Sequence, residues 1–305
     1  MHAAAMRIKP ALLAMRFLML LCLCCVHACI AQGKAQRIVC LAPSITEMVY
    51  ALGCGERIAG CSLQSTVPPQ ARQLPDVGPY MDPSLEKILL LKPDACIAIK
   101  DGTPSRLIQR LKQAHIAVCV LEIDSFDELK AAVRTLGDVL DVPQNAQDVI
   151  ASIDDSLKKI NRRVALLSAS AARPTVLFQL QQYPVIAVSP QTFGGRLIEL
   201  AGGVNIIDSG RRSPYPVIGM EEIIQKDPHV IIIAGMGDAS KDAQAVLRWK
   251  RWPQLSAVRN NRVFAVDSDL FTRPALRSIS AAEQLAGMLF PSRRTLPREN
   301  TARFN

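Results

Sequence analysis

The sequence predicts an α/β protein made of two Rossmann-like lobes with parallel sheets, joined by one long rigid α-helix. The first observation is an internal repeat, because PSLEKILLLKPDACIAI at 83–99 aligns without a gap with IGMEEIIQKDPHVIIIA at 218–234. The second is the alternation of helical patterns with short β-branched runs, which is typical of a parallel sheet covered on both faces. Two copies are too few for a solenoid and therefore indicate two similar lobes.

The first lobe is expected over residues 37–141. It opens with a strand, RIVCLA, and Ser44 is predicted to cap the following helix with Glu47 as its capping-box partner. That helix is expected to end at Gly53. The remaining strands are predicted at 57–61, 94–99 and 116–121, and the remaining helices at 84–91, 103–114 and 125–140.

A connecting helix is predicted over residues 142–168, because its apolar residues recur at helical spacing and no strand interrupts them. A continuous helix lacks the loop residues that absorb the large backbone changes of a hinge, so we expect little lobe closure.

The second lobe is expected over residues 169–291. Its strands are predicted at 174–180, 204–207 and 262–266 and its helices at 192–201, 242–249 and 274–289, while the second repeat copy at 218–234 supplies one further helix and strand.

The chain begins with the pattern of a secretory signal over residues 1–31. Basic residues precede the apolar run FLMLLCLCCV, which is too short to span a bilayer as a mature helix. Two cleavage sites fit: VHAC resembles a lipobox and would make Cys29 the lipidated first residue, whereas CIA would allow ordinary cleavage after Ala31. Either one predicts a periplasmic protein or an extracytoplasmic, membrane-anchored lipoprotein. The last residues, 292–305, are expected to form a basic tail.

Composition and motifs argue against several function classes. The formal net charge is +9, but no basic stripe interleaved with aromatic residues predicts a nucleic-acid partner. The chain has no G-x-S-x-G or phosphate-loop motif, so we expect neither an enzyme nor a bound cofactor. Only His115 and His229 lie beyond the signal, which disfavours a metal centre built from several imidazoles. A disulfide between Cys54 and Cys61 is left open.

Five residues are candidates for functional contacts. The repeat places Glu86 and Glu221 at matching points, which suits a partner with two-fold symmetry; the alternative is two solvated helix faces. Tyr80 and Tyr215 lie in Pro-rich loops before the repeat helices, where aromatic side chains suit flat apolar ligands or simply pack the loops. Arg273 follows a strand at the start of a helix, where a cation is locally unfavourable. It is therefore predicted to bind a ligand carboxylate or phosphate, unless it pairs with a nearby aspartate.

Several segments together resemble the class of periplasmic binding proteins that deliver cobalamin, haem and iron-siderophores to ABC importers. The resemblance covers residues 37–291 and is closest to the cobalamin branch. The segments are RIVCLAPSITEMVYALG, VPPQARQLPDVGPYMDPSLEKILLLKPDACIA, GGRLIELAGGVNII, GMEEIIQKDPHVIII and NNRVFAVDSDLFTRP.

The resemblance implies a solute-binding protein that holds a cobalamin-like corrinoid in the cleft between its lobes. Tyr80, Tyr215 and Arg273 match cleft positions of the family. Glu86 and Glu221 match the acids that dock onto the inner-membrane ABC permease dimer. A monomer is expected, with membrane contact only through a lipid anchor on the mature chain.

The sequence also departs from the family pattern in the cleft. Gln64, Ile99 and Leu270 fall where the family carries tyrosine or tryptophan, and Gln64 is retained as a candidate ligand contact. These departures leave a haem or ferric-siderophore binding protein as the alternative function. A divalent-metal binder is a further alternative.

Overall fold

The computed structural model describes residues 35–169, 172–234, 239–272 and 274–291. The predicted signal segment with Cys29, the basic tail and Arg273 lie outside these ranges. No helix within them is long and apolar enough to cross a membrane. The described residues form two α/β lobes with largely parallel sheets and a long helix between them, so the predicted fold class is confirmed.

The first lobe is built on a parallel sheet whose two faces are covered by different helices. Its elements are β1 (Ile38–Cys40), α1 (Pro43–Ala51), β2 (Ile58–Cys61), α2 (Leu85–Leu90), β3 (Ala95–Ile99), α3 (Ser105–Gln113), β4 (Ala117–Leu121) and α4 (Phe126–Val139), with 3-10 helices at Gly55–Arg57 and Pro69–Gln73. The strand order is β2-β1-β3-β4. Successive side chains of a strand point to opposite faces. Ile38 and Cys40 accordingly pack with α1 and α4, whereas Val39 and Leu41 pack with α2 and α3.

A second sheet forms the core of the other lobe. Its elements are β5 (Thr175–Gln181), β6 (Ile186–Ala187), α6 (Phe193–Leu200), β7 (Val204–Asn205), α7 (Met220–Lys226), β8 (Val230–Ala234), α8 (Ala239–Trp249), α9 (Ser256–Arg259), β9 (Val263–Val266), α10 (Ser268–Thr272) and α11 (Ser278–Leu289). The order is β6-β5-β8-β9, with β7 also pairing with β5 and β6 antiparallel to it. The repeat is thus structural: α2 and β3 in one lobe correspond to α7 and β8 in the other, and both repeat strands pair with their lobe's first strand.

The connecting helix α5 (Pro143–Ser168) has 26 residues, a length of about 39 Å at 1.5 Å per residue. Its buried residues Ala146, Ile153 and Ile160 are seven positions apart, two helical turns, and therefore lie on one face. Ile153 packs in the core of the first lobe and Ile160 in the core of the second. One continuous helix is therefore anchored in both cores.

Direct contacts between the lobes add to this connection. The rings of Phe126 at the start of α4 and Phe193 at the start of α6 have centroids 5.4 Å apart. Ile279 of α11 packs against the cores of both lobes. Arg277 Nε lies 3.0 Å from Glu47 Oε1, and the Glu47 side chain is only 7% exposed. These contacts hold the two lobes around the space between them, and the sequence did not predict them.

The structure corrects two local predictions. Ser44 does not cap α1, which begins at Pro43 after Ala42 and has no side-chain cap. Proline is preorganised for the first helical turn, and Glu47 pairs with Arg277 across the lobes. The closing helix, predicted at 274–289, begins only at Ser278, because the preceding residues form a turn in which Ala275 N–H donates to Ser278 Oγ at 3.0 Å.

Five cysteines lie in the described part of the chain, and all are buried free thiols. The disulfide that the sequence left open is not formed: the Cys54 and Cys61 sulfurs lie 3.7 Å from the carbonyl oxygens of Leu52 and Ala71, respectively. Burial raises the pKa of Cys96 to about 12 and that of Cys119 to about 11. These thiols therefore remain protonated at neutral pH and behave as small apolar side chains.

Candidate functional site

A cavity of about 570 Å³ lies between the two lobes. On the first lobe it is lined by residues at or just after the carboxyl ends of β1, β3 and β4 and by the loop that holds Tyr80. On the second lobe it is lined by the start of α6, the end of α10 and loops. The lining residues are Ala42, Pro43, Ser44, Tyr80, Ile99, Lys100, Asp101, Leu121, Ile123, Asp124, Gln191, Thr192, Phe193, Pro214, Tyr215, Thr272 and Pro274. The volume is within the range of small-molecule sites, about 300–1,000 Å³.

Sheet topology explains why the cavity opens at this edge. Strands β1 and β3 are neighbours, but the helix after β1 packs on one face of the sheet and the helix after β3 packs on the other. The two connections therefore diverge and leave a crevice outside the carboxyl ends of the strands. Ligands of open α/β sheets bind at such switch points.

Tyr80 enters the cavity from the first lobe and is held from two sides. Its backbone N–H donates to Gln64 Oε1 at 3.1 Å. Its ring lies against Gly102, where an added Cβ would be 3.1 Å from the ring carbon Cε2, and Gly102 has a φ of +143°. The Gln64 side-chain oxygen therefore accepts a hydrogen bond from the Tyr80 backbone. A direct contact between Gln64 and a ligand stays a prediction.

Tyr215 enters the same cavity from the second lobe. Its loop is fixed to the edge of the second sheet, because Ala187 N–H donates to Pro216 O and Ser189 N–H donates to Pro214 O, both at 3.0 Å. The side chain is half exposed, which leaves a face of the ring open to the cavity. Burial, followed by the carboxylates of Asp124 and Asp101, raises the pKa of the Tyr215 phenol.

Two carboxylates also line the cavity and were missed in the sequence. Asp101 and Asp124 follow β3 and β4, whose register pairs Ile99 with Leu121. Both aspartates are exposed, and neither carboxylate has a hydrogen bond or ion pair with another described residue. Although Asp124 is exposed overall, partial desolvation of its carboxyl group raises its pKa, and the charge of Asp101 raises it further. Their position after neighbouring parallel strands was the signal that could have identified them.

The other predicted site residues lie in different places. Arg273 is outside the described residues, although Thr272 and Pro274 on either side of it line the cavity. Glu86 and Glu221 are both exposed and are the second residues of α2 and α7. The repeat therefore presents them at equivalent positions on the two lobes, away from the lining of the cavity.

Comparisons with known proteins agree with this architecture. The model of a family described as "Periplasmic binding protein" matches residues 38–270. A vitamin B12-binding protein of Pectobacterium atrosepticum is 30% identical over 260 residues, covering 85% of this chain and 90% of that protein. The vitamin B12-binding protein of Vibrio cholerae serotype O1 is 31% identical over 256 residues, covering 84% and 89%.

Solved structures show the same similarity. The periplasmic vitamin B12 binding protein BtuF of Vibrio cholerae has a TM-score of 0.72 and 30% identity, with 84% of this chain and 97% of that chain covered. A periplasmic heme binding protein from Pseudomonas aeruginosa has a TM-score of 0.77 and 25% identity, with 85% and 94% covered.

Proposed function

We propose that this chain, which belongs to the periplasmic binding protein family, captures a cobalamin-like corrinoid between its lobes and delivers it to an ABC importer. The observation that carries the proposal is the cavity at the carboxyl ends of the first-lobe strands, with one tyrosine from each lobe in its lining. The family and the similar proteins are binding proteins rather than enzymes, and they support a periplasmic location.

The two tyrosines are the proposed ligand platforms. Tyr80 and Tyr215 belong to loops on opposite lobes, and each presents an aromatic ring to the same cavity. Aromatic rings contribute large apolar contact area while the phenol group stays able to form a hydrogen bond. A flat macrocycle between the lobes would contact both rings at once, so each tyrosine is expected to contribute to affinity. Arg273 is retained as a proposed ligand contact, to the amide rim or the nucleotide phosphate of a corrinoid.

Delivery is assigned to the acids at equivalent positions in the repeat. Glu86 and Glu221 are exposed near the N-termini of corresponding helices, one on each lobe. A permease dimer is two-fold symmetric and would offer two equivalent basic sites to this monomer. Exposed ion pairs contribute about 0–1 kcal/mol each, so we assign the glutamates to orientation and association rate more than to affinity.

Attachment to the membrane is proposed through the N-terminal segment. VHAC at 26–29 would give a lipidated Cys29, and cleavage after Ala31 would give a free periplasmic protein. Mass spectrometry of the mature N-terminus distinguishes them. A lipid-modified Cys29 supports the anchor, and an unmodified N-terminus at Gln32 rules it out.

Haem is the second candidate ligand, and a ferric siderophore of the same transport class is a further candidate. The specific observation is the 25% identical heme binding protein, whose fold superimposes with a TM-score of 0.77. Tyrosine phenols can also ligate haem iron. A divalent-metal binder has less support, because the described residues contain no group of three or more His, Cys, Asp or Glu side chains placed to hold a metal.

The proposal is tested by loading the purified protein with each ligand. The protein is incubated with cyanocobalamin, haem or a ferric siderophore, desalted, and measured by visible absorption. Retention of one equivalent of cyanocobalamin is expected. A protein that retains haem or the siderophore but no corrinoid contradicts the proposal. The Tyr80→Ala/Tyr215→Ala variant should lose retention, whereas Tyr183→Ala, an exposed tyrosine outside the cavity lining, should keep it.

A further inference from the structure

Two carboxylates and one ammonium group are the charged side chains in the described lining of the cavity. Asp101 and Asp124 present carboxylates to it, and within the described chain no cation is bonded to either. Lys100 also lines the cavity and interacts electrostatically with both aspartates, but its ammonium forms its ion pair with Glu122. The described part of the lining is therefore acidic on the first-lobe side.

The two carboxylates act on the same part of the cavity. The parallel register of β3 and β4 pairs Ile99 with Leu121, so the residues that follow these strands leave the sheet side by side. Both aspartates influence the phenol of Tyr215, which enters from the opposite lobe. A ligand that contacts Tyr215 is therefore exposed to both negative charges.

We propose that Asp101 and Asp124 determine the ligand preference of the cavity, favouring an amide-rimmed corrinoid with net positive charge over macrocycles that carry carboxylates. The inference rests on the proposed function, because it concerns the ligand of the same site. It adds the chemistry that distinguishes a corrinoid from haem, which the two tyrosines alone do not supply.

The physical reason is the cost of removing water from a carboxylate. Both aspartates are solvated in the free protein and would lose water when a macrocycle fills the cavity. A buried carboxylate needs hydrogen-bond donors or a cation to offset that loss. The amide N–H groups at the rim of a corrin can donate, and a cobalt(III) corrinoid without the nucleotide phosphate also carries positive charge. Haem instead brings two propionates, which repel the aspartates.

The test compares three probes of different charge on the full mature protein. Aquocyanocobinamide is cationic, cyanocobalamin is neutral, and haem carries two propionates. In Asp101→Asn/Asp124→Asn, side-chain size is kept and both charges are removed. The dissociation constant of cobinamide should rise about tenfold, equivalent to about 1.4 kcal/mol, and that of haem should fall about tenfold. The constant of cyanocobalamin should change less.

Two further variants separate this effect from a general change in charge or folding. Lys100→Gln makes the lining more acidic and should act in the opposite direction, tightening cobinamide and weakening haem. Asp148→Asn/Asp155→Asn removes two exposed charges from α5, outside the cavity lining, and should leave all three constants unchanged. Higher salt should reduce the differences, since the Debye length is about 8 Å at physiological ionic strength.

The outcomes distinguish the two proposals. A wild-type protein that binds neither corrinoid overturns the proposed function and this inference with it. A wild-type protein that binds corrinoids, while Asp101→Asn/Asp124→Asn leaves the cobinamide and haem constants within about twofold of wild type, overturns the inference alone. Changes of the same sign in Lys100→Gln and the double Asn variant also overturn it.

Discussion

The ion pair between Glu47 and Arg277 leads to a prediction about the rigidity of the cleft. The Glu47 side chain is 7% exposed and that of Arg277 is 29% exposed, with 3.0 Å between Oε1 and Nε. Removing one partner of a fully buried pair costs roughly 3–5 kcal/mol. Because Arg277 is partly open to water, we expect Arg277→Met to lower the free energy of unfolding by about 2–3 kcal/mol.

The same substitution should loosen the lobes relative to each other. The restraints between the lobes of the wild-type protein include the continuous helix α5, the Phe126–Phe193 ring contact and the Glu47–Arg277 pair. Its scattering curves with and without ligand should therefore nearly superimpose. In Arg277→Met the free protein should have a larger radius of gyration that decreases when ligand binds. Urea unfolding and small-angle scattering measure the two effects.

Two controls make this prediction specific. Glu47→Gln/Arg277→Met removes both charges and should recover part of the lost stability, because no carboxylate is left without its arginine. Lys158→Met breaks an exposed pair with Asp155 on α5 and should cost at most about 0.5 kcal/mol. A loss below about 1 kcal/mol in Arg277→Met, or a clear drop in the wild-type radius of gyration on ligand binding, would contradict a role of this ion pair in holding the lobes together.

The remaining predictions concern the ligand, the transporter and the thiols. Tyr80→Ala and Tyr215→Ala should each weaken corrinoid binding by about 1–3 kcal/mol in calorimetric titrations; unchanged affinity in both would assign the rings to loop packing. Glu86→Lys/Glu221→Lys should abolish uptake in a reconstituted transporter assay and leave the ligand dissociation constant unchanged, and normal uptake would disprove docking through these acids. Burial raises the pKa of Cys96 to about 12. A thiol-specific chromogenic reagent at pH 8 should therefore label Cys96 only after the protein is unfolded. Rapid labelling of Cys96 in the native protein would contradict its burial.

The fold could be predicted from sequence because its signals are local and repeated. The 83–99 and 218–234 copies each contain a short helix, a loop and a buried strand, and in the structure each forms a corresponding unit of its lobe. Tyr80 and Tyr215 could be placed near the cleft because both lie just before these units.

Other parts of the site depend on contacts that no local pattern contains. Ser44 and Glu47 match the sequence pattern of a capping box, but the Glu47 carboxylate forms an ion pair with Arg277, which lies far along the chain. Only the three-dimensional packing brings these two residues together. Asp101 and Asp124 follow two separate strands, and they become neighbours only when β3 and β4 pair in register.

A corrinoid site between the lobes is tested most directly by a calorimetric titration of the mature wild-type protein with cyanocobalamin, repeated with the Tyr80→Ala/Tyr215→Ala variant. We expect one corrinoid per protein for the wild type and a loss of about 2–6 kcal/mol of binding free energy in the variant, since each ring contributes about 1–3 kcal/mol. No binding to the wild type, or equal affinity in the two proteins, would contradict a corrinoid site between Tyr80 and Tyr215.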